Sequence, residues 1–386
     1  GAMVYATPLL GGLIAEKFFG YRKAILWGGI LMSLGHFTMA FPILSSFGIA
    51  SPEFFESLTE PVFFIALGLL ILGNGFFKPN ISSFVGTFYE KGSDLRDRGF
   101  NLFYMGINVG AFLAPITCGA IGQDHANFGV NSWHYGFGLA GIGMVLGLLV
   151  FFYGLRTGVF KDNGYSPNKE LLNSKVYNLI SVKNLTYLGT LLCIPIIYIL
   201  LGAGAKDFID LHIFNPFQET EIKQIALSFL DITLFSMVIY TVYYLYNYGK
   251  SITKEAFDKI KVIMFLFFYS TLFWAFFELA GSAITVYTET NVDRTISWLD
   301  STPLSSAQFM GVNPLYIILL VPVFNFIWKY LKKNNLESDK NIAREVVFTV
   351  FSIVFSVTIF YTTLLSTSSF EETIEKYVSF GDKSIS

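Results

Sequence analysis

Charge is what this 386-residue sequence has least of: Asp, Glu, Lys and Arg make up 14% of it, against about 25% in an average soluble domain. That shortage excludes an ordinary water-soluble fold. Cysteine is nearly absent too. Cys118 and Cys193 both fall in apolar runs, where they read as small buried hydrophobes, with neither a disulfide nor a metal site suggested. The four histidines, His36, His125, His134 and His212, form no HxxH or HxxxxD pattern, so a membrane enzyme with a metal cluster or nucleophile at its face is not expected. No charged segment precedes the first apolar run, so no signal peptide is expected, and no nucleic-acid partner is expected.

What the sequence does have is apolar length. Mean hydropathy is +0.55, and runs of about 20 apolar residues predict ten membrane helices. They fall at 1–15, 24–47, 61–86, 100–122, 134–154, 185–204, 223–247, 261–288, 308–330 and 342–364. The first is short, about 22 Å of helix against about 30 Å of hydrocarbon, and reads as the end of a longer span. The connecting loops alternate between two sides. One side carries 20 of the 26 basic residues, including Lys17, Arg22 and Lys23, then Lys91, Arg96 and Arg98, and a long stretch from Arg156 to Lys183. By the positive-inside rule that side is cytoplasmic.

Gly73 to Asn108 is the most informative stretch. Lys78 follows an uncharged run from Val62 to Phe77, and the apolar pattern resumes after Pro79 and Asn80. An ammonium at that depth costs about 2.5–3.5 kcal/mol unless it faces a wet cavity or a counter-charge. A lysine snorkelling from a helix end is disfavoured, because Ile81 to Val85 continue the span. The obvious counter-charge is Glu278, within the apolar segment TLFWAFFELAGSAI, and two such charges on separate spans imply an internal polar cavity. Pro79 removes a backbone hydrogen bond and is expected to loosen its helix.

Other polar residues at membrane depth share helical faces. Tyr104 and Asn108 are four apart, as are Trp274 and Glu278, and Asn313–Pro314 opens a later span. Gly106 and Gly110, like Gly28, Gly29 and Gly35, suit close helix contact. His36 reads as a packed, hydrogen-bonded residue in preference to a proton carrier. In the first cytoplasmic loop, Glu16, Lys17, Arg22 and Lys23 could pair charges across helix ends; snorkelling lysines would give the same pattern.

These motifs carry a resemblance. GGLIAEKFFGYRKAI, GNGFFKPNISSFVGTFY, FNLFYMGINVGAF, FWAFFELAGSA, NVDR and NPLYIILLVP occur in the order seen in the proton-dependent oligopeptide transporter (POT) family of the major facilitator superfamily. The resemblance implies an all-α membrane protein, with two six-helix bundles working by alternating access and two extra helices between them. The ten spans then map to helices two to six, the inserted pair, and helices seven to nine. The domains are expected at 1–155 (N-terminal bundle), 156–260 (cytoplasmic linker plus inserted helices) and 261–386 (partial C-terminal bundle). Helix one and helices ten to twelve are missing from this mapping, and a fragment lacking them should not transport.

The resemblance further implies proton-coupled symport of di- and tripeptides, with Lys78 and Glu278 in the coupling and peptide-binding network. Tyr5, Tyr104, Asn108, Trp274 and Asn313 would line the peptide cavity, and Glu16, Lys17 and Arg22 would form a cytoplasmic gate loop. It implies no enzyme activity, no cofactor beyond protons, a monomer, and a place in the bacterial inner membrane. Two departures stand out: Glu16–Lys17 replaces the usual Asp-Arg, and Leu279 replaces the usual Gln. The second keeps open a transporter of another solute, such as nitrate or an amino-acid derivative; a non-transporting substrate sensor also fits the motifs. Topology is directly testable. A single cysteine placed at Asp94 in the full-length protein should resist a membrane-impermeant thiol reagent in intact cells, and robust labelling there would overturn the orientation.

Overall fold

In hydrocarbon a backbone carbonyl or amide has only the protein to bond with, so an uncharged run such as Pro61–Gly86 must be helical. The computed structural model describes residues 2–46, 48, 49, 51–122, 132–202, 236, 238–278, 283–292, 294 and 304–333. Among the described residues, four segments are long and apolar enough to cross a membrane: Pro61–Gly86, Arg98–Gly122, Trp133–Arg156 and Ser306–Val323. Trp133–Arg156 has a mean hydropathy of 2.1, yet only 11% of that window is buried inside the protein. Ile142, Leu146, Leu149, Val150 and Tyr153 on it are all exposed, an arrangement suited to lipid as the solvent.

The chain forms two compact units, residues 1–104 with 121–277, and residues 105–120 with 278–386. In the first, α1 (Ala2–Ile14), α2 (Tyr21–Met39) and α9 (Val182–Gly202) pack on α4 (Pro52–Gly86), and α7 (Trp133–Arg156) packs on α2. The approach is close. A Cβ added to Gly11 of α1 would lie 2.1 Å from the Gly75 carbonyl oxygen of α4, and one added to Gly28 of α2 would lie 2.6 Å from that of Gly73. Where hydrocarbon gives helices no hydrophobic reason to associate, such small-residue contacts supply the attraction through van der Waals packing. Residues 11 and 12 of α1 meet 75 and 79 of α4, so these helices run parallel; 28 and 35 of α2 meet 73 and 70, so α2 runs antiparallel. The ends of α1 and α4 and the start of α2 therefore share one side, in keeping with the basic-loop assignment.

A short π-helical turn, Ala15–Phe19, joins α1 to α2. Gly20 closes it at φ 82°, and a Cβ there would sit 2.6 Å from the Ser166 backbone nitrogen, so both conformation and space call for glycine. α3 (Ile43–Ser46) is one turn. α5 (Asp94–Ala114) continues through a π-helical turn, Pro115–Gly119, into α6 (Ala120–Gly122). α10 covers residues 238–250 and α11 covers Lys254–Glu278. In the second unit, α12 (Ala283–Asn291), α13 (Ser306–Phe309) and α14 (Val312–Lys333) follow. α13 is held by a capping box in which Ser305 accepts from the Gln308 amide while Gln308 accepts in return. It packs on the second π turn, where a Cβ at Gly119 would be 3.1 Å from Ala307 Cβ.

The boundaries differ from expectation for local reasons. α2 stops at Met39, not 47, with Pro42 in the turn that follows. α4 starts nine residues before 61, because Ser51 caps it by accepting from the Phe54 amide at 3.3 Å and Pro52 occupies the first turn. Its Pro79 does not interrupt the helix. The expected span 261–288 is helical to Glu278 and again from Ala283. The polar stretch after Arg156 folds α8 (Lys169–Asn173) and a hairpin of β1 (Lys175–Val176) and β2 (Ile180–Ser181), with Tyr177 and Asn178 left-handed in its turn. The span 342–364, Leu279, Asp231 and most of 223–247 lie outside the described residues.

Two packing expectations are corrected. Gly106 and Gly110 have nothing within 4 Å of an added Cβ among the described residues, since small residues permit an approach without providing the neighbour. The hydrogen bond expected of His36 is not made through Nδ1, which is buried with no partner among the described residues. The contrast between glycines is measurable by thermal unfolding of the full-length protein in detergent. Gly11→Ala should destabilise by about 1–3 kcal/mol through overpacking, whereas Gly106→Ala should be neutral or slightly stabilising, as Ala outranks Gly in helices.

Candidate functional site

The motif GNGFFKPN places its polar residues along α4 where α1 lies closest. Thr7 donates its hydroxyl to the Ile71 carbonyl at 3.0 Å, and Asn74 Nδ2 donates to the Val4 carbonyl at 3.0 Å. Asn80, only 1% exposed, donates from Nδ2 to the carbonyls of Gly11 at 3.2 Å and Phe76 at 2.8 Å. Pro79 lacks the amide that would bond the Gly75 carbonyl, and it is against this carbonyl that Gly11 packs. Side-chain amides thus tie α1 to α4 above and below a level where backbone meets backbone. The sequence reading noted Asn80 only as a neighbour of Lys78 and did not single out Asn74 or Thr7. The signal was there: two amide side chains, Asn74 and Asn80, six residues apart in an apolar run.

Lys78 is one turn beyond Asn74 and eight residues before the end of α4, which puts it about 12 Å inside the helix end. It is exposed, unlike its neighbour Asn80. Its Nζ lies 5.0 Å from the centroid of the Tyr5 ring on α1, within cation–π range. No carboxylate among the described residues forms an ion pair with it; the recorded pairs are Lys259–Glu255, Lys261–Asp258 and Arg294–Glu289. Two cavities lie within the first unit, of about 520 Å³ and 140 Å³, and both are lined almost wholly by apolar side chains without Lys78 or Tyr5. Neither has the polarity to hold a zwitterion.

The remaining candidates are placed singly. On α5, Tyr104 is 52% exposed and Asn108 is 6% exposed, so their four-residue spacing does not give them the same environment. Trp274 on α11 is exposed, and its ring meets those of Phe273 at 5.7 Å and Phe277 at 5.3 Å. Glu278 is the last residue of α11, and its side chain is outside the described set, so the expected pairing with Lys78 falls there too. Asn313 is the second residue of α14 and is exposed.

The cytoplasmic loop departs from the charge pairing considered for it. Glu16 and Lys17 are exposed on the π turn, and no ion pair joins Glu16, Lys17, Arg22 or Lys23 among the described residues. Arg22 is instead 8% exposed. Its guanidinium donates to the carbonyls of Asn163 at 2.6 Å, Phe160 at 3.2 Å and Lys161, and lies 3.9 Å from the Tyr165 ring centroid. The Ser166 hydroxyl donates to the Phe18 carbonyl, and the Arg22 amide donates to the Gly164 carbonyl at 3.0 Å. A buried guanidinium requires several acceptors in a planar fork, and the turn after α7 supplies them as backbone carbonyls. Sequence alone could not distinguish carbonyl from carboxylate partners for Arg22.

Comparison with known proteins follows from this geometry. A sequence model of the POT family matches residues 22–379. The chain is 32% identical over 334 residues to a di-/tripeptide transporter of Lactococcus lactis subsp. cremoris, covering 86% of this chain and 59% of that protein. It is 30% identical over 334 residues to the peptide transporter YePEPT of Yersinia enterocolitica, covering 86% and 58%. Among solved structures, a peptide transporter POT in complex with sulfate superposes with a TM-score of 0.59 at 31% identity, covering 86% of this chain and 59% of that one. The chain therefore spans somewhat under two thirds of the length of the relatives it matches.

The Arg22 cluster gives its own test. Arg22→Gln in the full-length protein should free the turn after α7, and limited trypsin digestion should cut after Lys161 severalfold faster. Unchanged cleavage would show that the carbonyl contacts do not hold the turn.

Proposed function

The chain belongs to the POT family, an integral membrane transporter family, and on that premise we propose that the protein it represents couples the entry of di- and tripeptides to that of protons by alternating access. The observation that carries the reading is Lys78: a cation about two turns inside the end of α4, exposed, under the Tyr5 ring and without a carboxylate partner among the described residues. A buried or lipid-facing ammonium is costly, so its retention at this depth is best accounted for by an anion that comes and goes. The carboxylate of a short peptide is such an anion.

In this reading Glu278 is the proton-carrying partner. When protonated it releases Lys78, which then meets the peptide carboxylate, and the two states of the pair bias the cavity toward opposite openings. Tyr5, Tyr104, Asn108, Trp274 and Asn313 line the peptide site, with amides for the constant backbone and rings for variable side chains. Glu16, Lys17 and Arg22 form the cytoplasmic gate loop, and Arg22 acts there by fixing the turn after α7. The division into bundles at 1–155 and 261–386, with 156–260 between them, belongs to the same reading, as do a monomeric state and a bacterial cytoplasmic membrane. No chemical conversion of the peptide and no cofactor other than the proton is part of it. Relatives described as di-/tripeptide transporters support it.

The test is proton-driven uptake of labelled dipeptide by liposomes containing the full-length protein. Lys78→Ala should abolish accumulation with expression preserved. Glu278→Gln should lose pH-driven accumulation while keeping peptide exchange across a peptide gradient alone. Full pH-driven accumulation in Glu278→Gln would remove Glu278 from proton coupling and leave it a structural or orienting group.

A further inference from the structure

Three lysines that peptide transport does not use converge at the cytoplasmic mouth of the first unit. Lys23 is on the first turn of α2, Lys169 opens α8 and Lys183 is the second residue of α9. A single apolar floor gathers them. Ala15, Phe19, Ala24, Phe76 and Leu172 are buried together, with Trp27 and Tyr187 packed against them. Lys23 adjoins Ala24 and shares a face with Trp27; Lys169 is one turn before Leu172; Lys183 is one turn before Tyr187 and shares its face. The Trp27 and Tyr187 rings touch edge-on at 4.7 Å, so the two Lys–aromatic pairs stand side by side on α2 and α9.

The charge here is uncompensated. None of the three lysines makes an ion pair among the described residues, and Glu170 and Glu16, the nearest acids in sequence, bridge to none of them. Burial first, then the like charges of Lys183 and Lys169, disfavour the charged form of Lys23. The starts of α2 and α9 add their positive helix ends to the same place. Nearby acceptors are already engaged: the carbonyls of the turn after α7 are taken by Arg22, and Tyr165 has Arg22 on its ring at 3.9 Å and Lys169 Nζ at 5.6 Å. Even the Trp27 indole Nε1 is a buried donor with no partner among the described residues. The cluster offers donors, and no acid among the described residues forms an ion pair with its lysines.

Its height identifies the anion. Lysines with an aromatic pair one turn deeper are the pattern of a membrane–water interface, and basic pockets between helices on the cytoplasmic side suit lipid phosphates. We propose that Lys23, Lys169 and Lys183 hold the phosphate of an anionic phospholipid of the cytoplasmic leaflet, between α2, α8 and α9. The bound lipid ties α9 to the mouth of the bundle, a role separate from peptide recognition.

Native mass spectrometry of the full-length protein with phosphatidylglycerol, phosphatidylcholine or inorganic phosphate tests this. Phosphatidylglycerol adducts should survive where phosphatidylcholine adducts do not. They should fall about tenfold or more in the variant Lys23→Gln/Lys169→Gln/Lys183→Gln. The variant Lys23→Arg/Lys169→Arg/Lys183→Arg should retain them, which separates loss of charge from loss of fold. Equal phosphatidylglycerol retention by the Gln variant would overturn the site. Displacement of the lipid by inorganic phosphate would overturn the lipid assignment, leaving a site for free anions. Peptide uptake is not the readout, so failure here is distinguishable from failure of the transport reading.

Discussion

Helix α4 reaches α1 and α2 at backbone distance because glycines face glycines at two levels, Gly11 with Gly75 and Gly28 with Gly73. Hydrocarbon gives apolar helices no preference for each other over lipid, so their association depends on how closely they can approach. The rest of the first unit follows from that contact. With α1 laid against α4 in parallel, Thr7, Asn74 and Asn80 come within reach of carbonyls on the opposite helix. The same arrangement stands Tyr5 over Lys78.

Polar side chains in this unit divide by what satisfies them. Amides and hydroxyls between α1 and α4 bond backbone carbonyls, which in lipid have no water to turn to. Arg22 does the same at the cytoplasmic end, where three carbonyls of one turn receive its guanidinium. Lys78 and the lysines of the cytoplasmic mouth are different. They are cations that the described protein leaves without a counter-charge, one deep in a helix and three at interface height. Depth separates the anions they suit: a small solute that passes through, and a lipid phosphate that stays.

Much of the fold was readable from pattern. Long uncharged runs and the spacing of Gly28, Gly29 and Gly35 foretold helices and contacts that the structure contains. Helix ends were read less well, because a cap such as Ser51–Pro52 extends a helix into polar sequence that hydropathy does not register. At the site, Lys78 stood out because a lone charge in an apolar run is conspicuous. Asn80 did not, although it is the more deeply buried, because an amide beside a charge draws no notice until its carbonyl partners are known.

Residue type and pattern alone indicate the class of solvent, the helical state and the family. Each of these depends on residue type and spacing along one chain. Tertiary packing alone settled that Gly11 lies against a neighbouring backbone while Gly106 meets nothing among the described residues, and that Arg22 takes carbonyls in place of carboxylates. It alone gathered Lys23, Lys169 and Lys183 from three elements around one apolar floor. Those outcomes depend on which surfaces meet across more than 60 residues of chain, and a partner's identity is not encoded at the position that needs it.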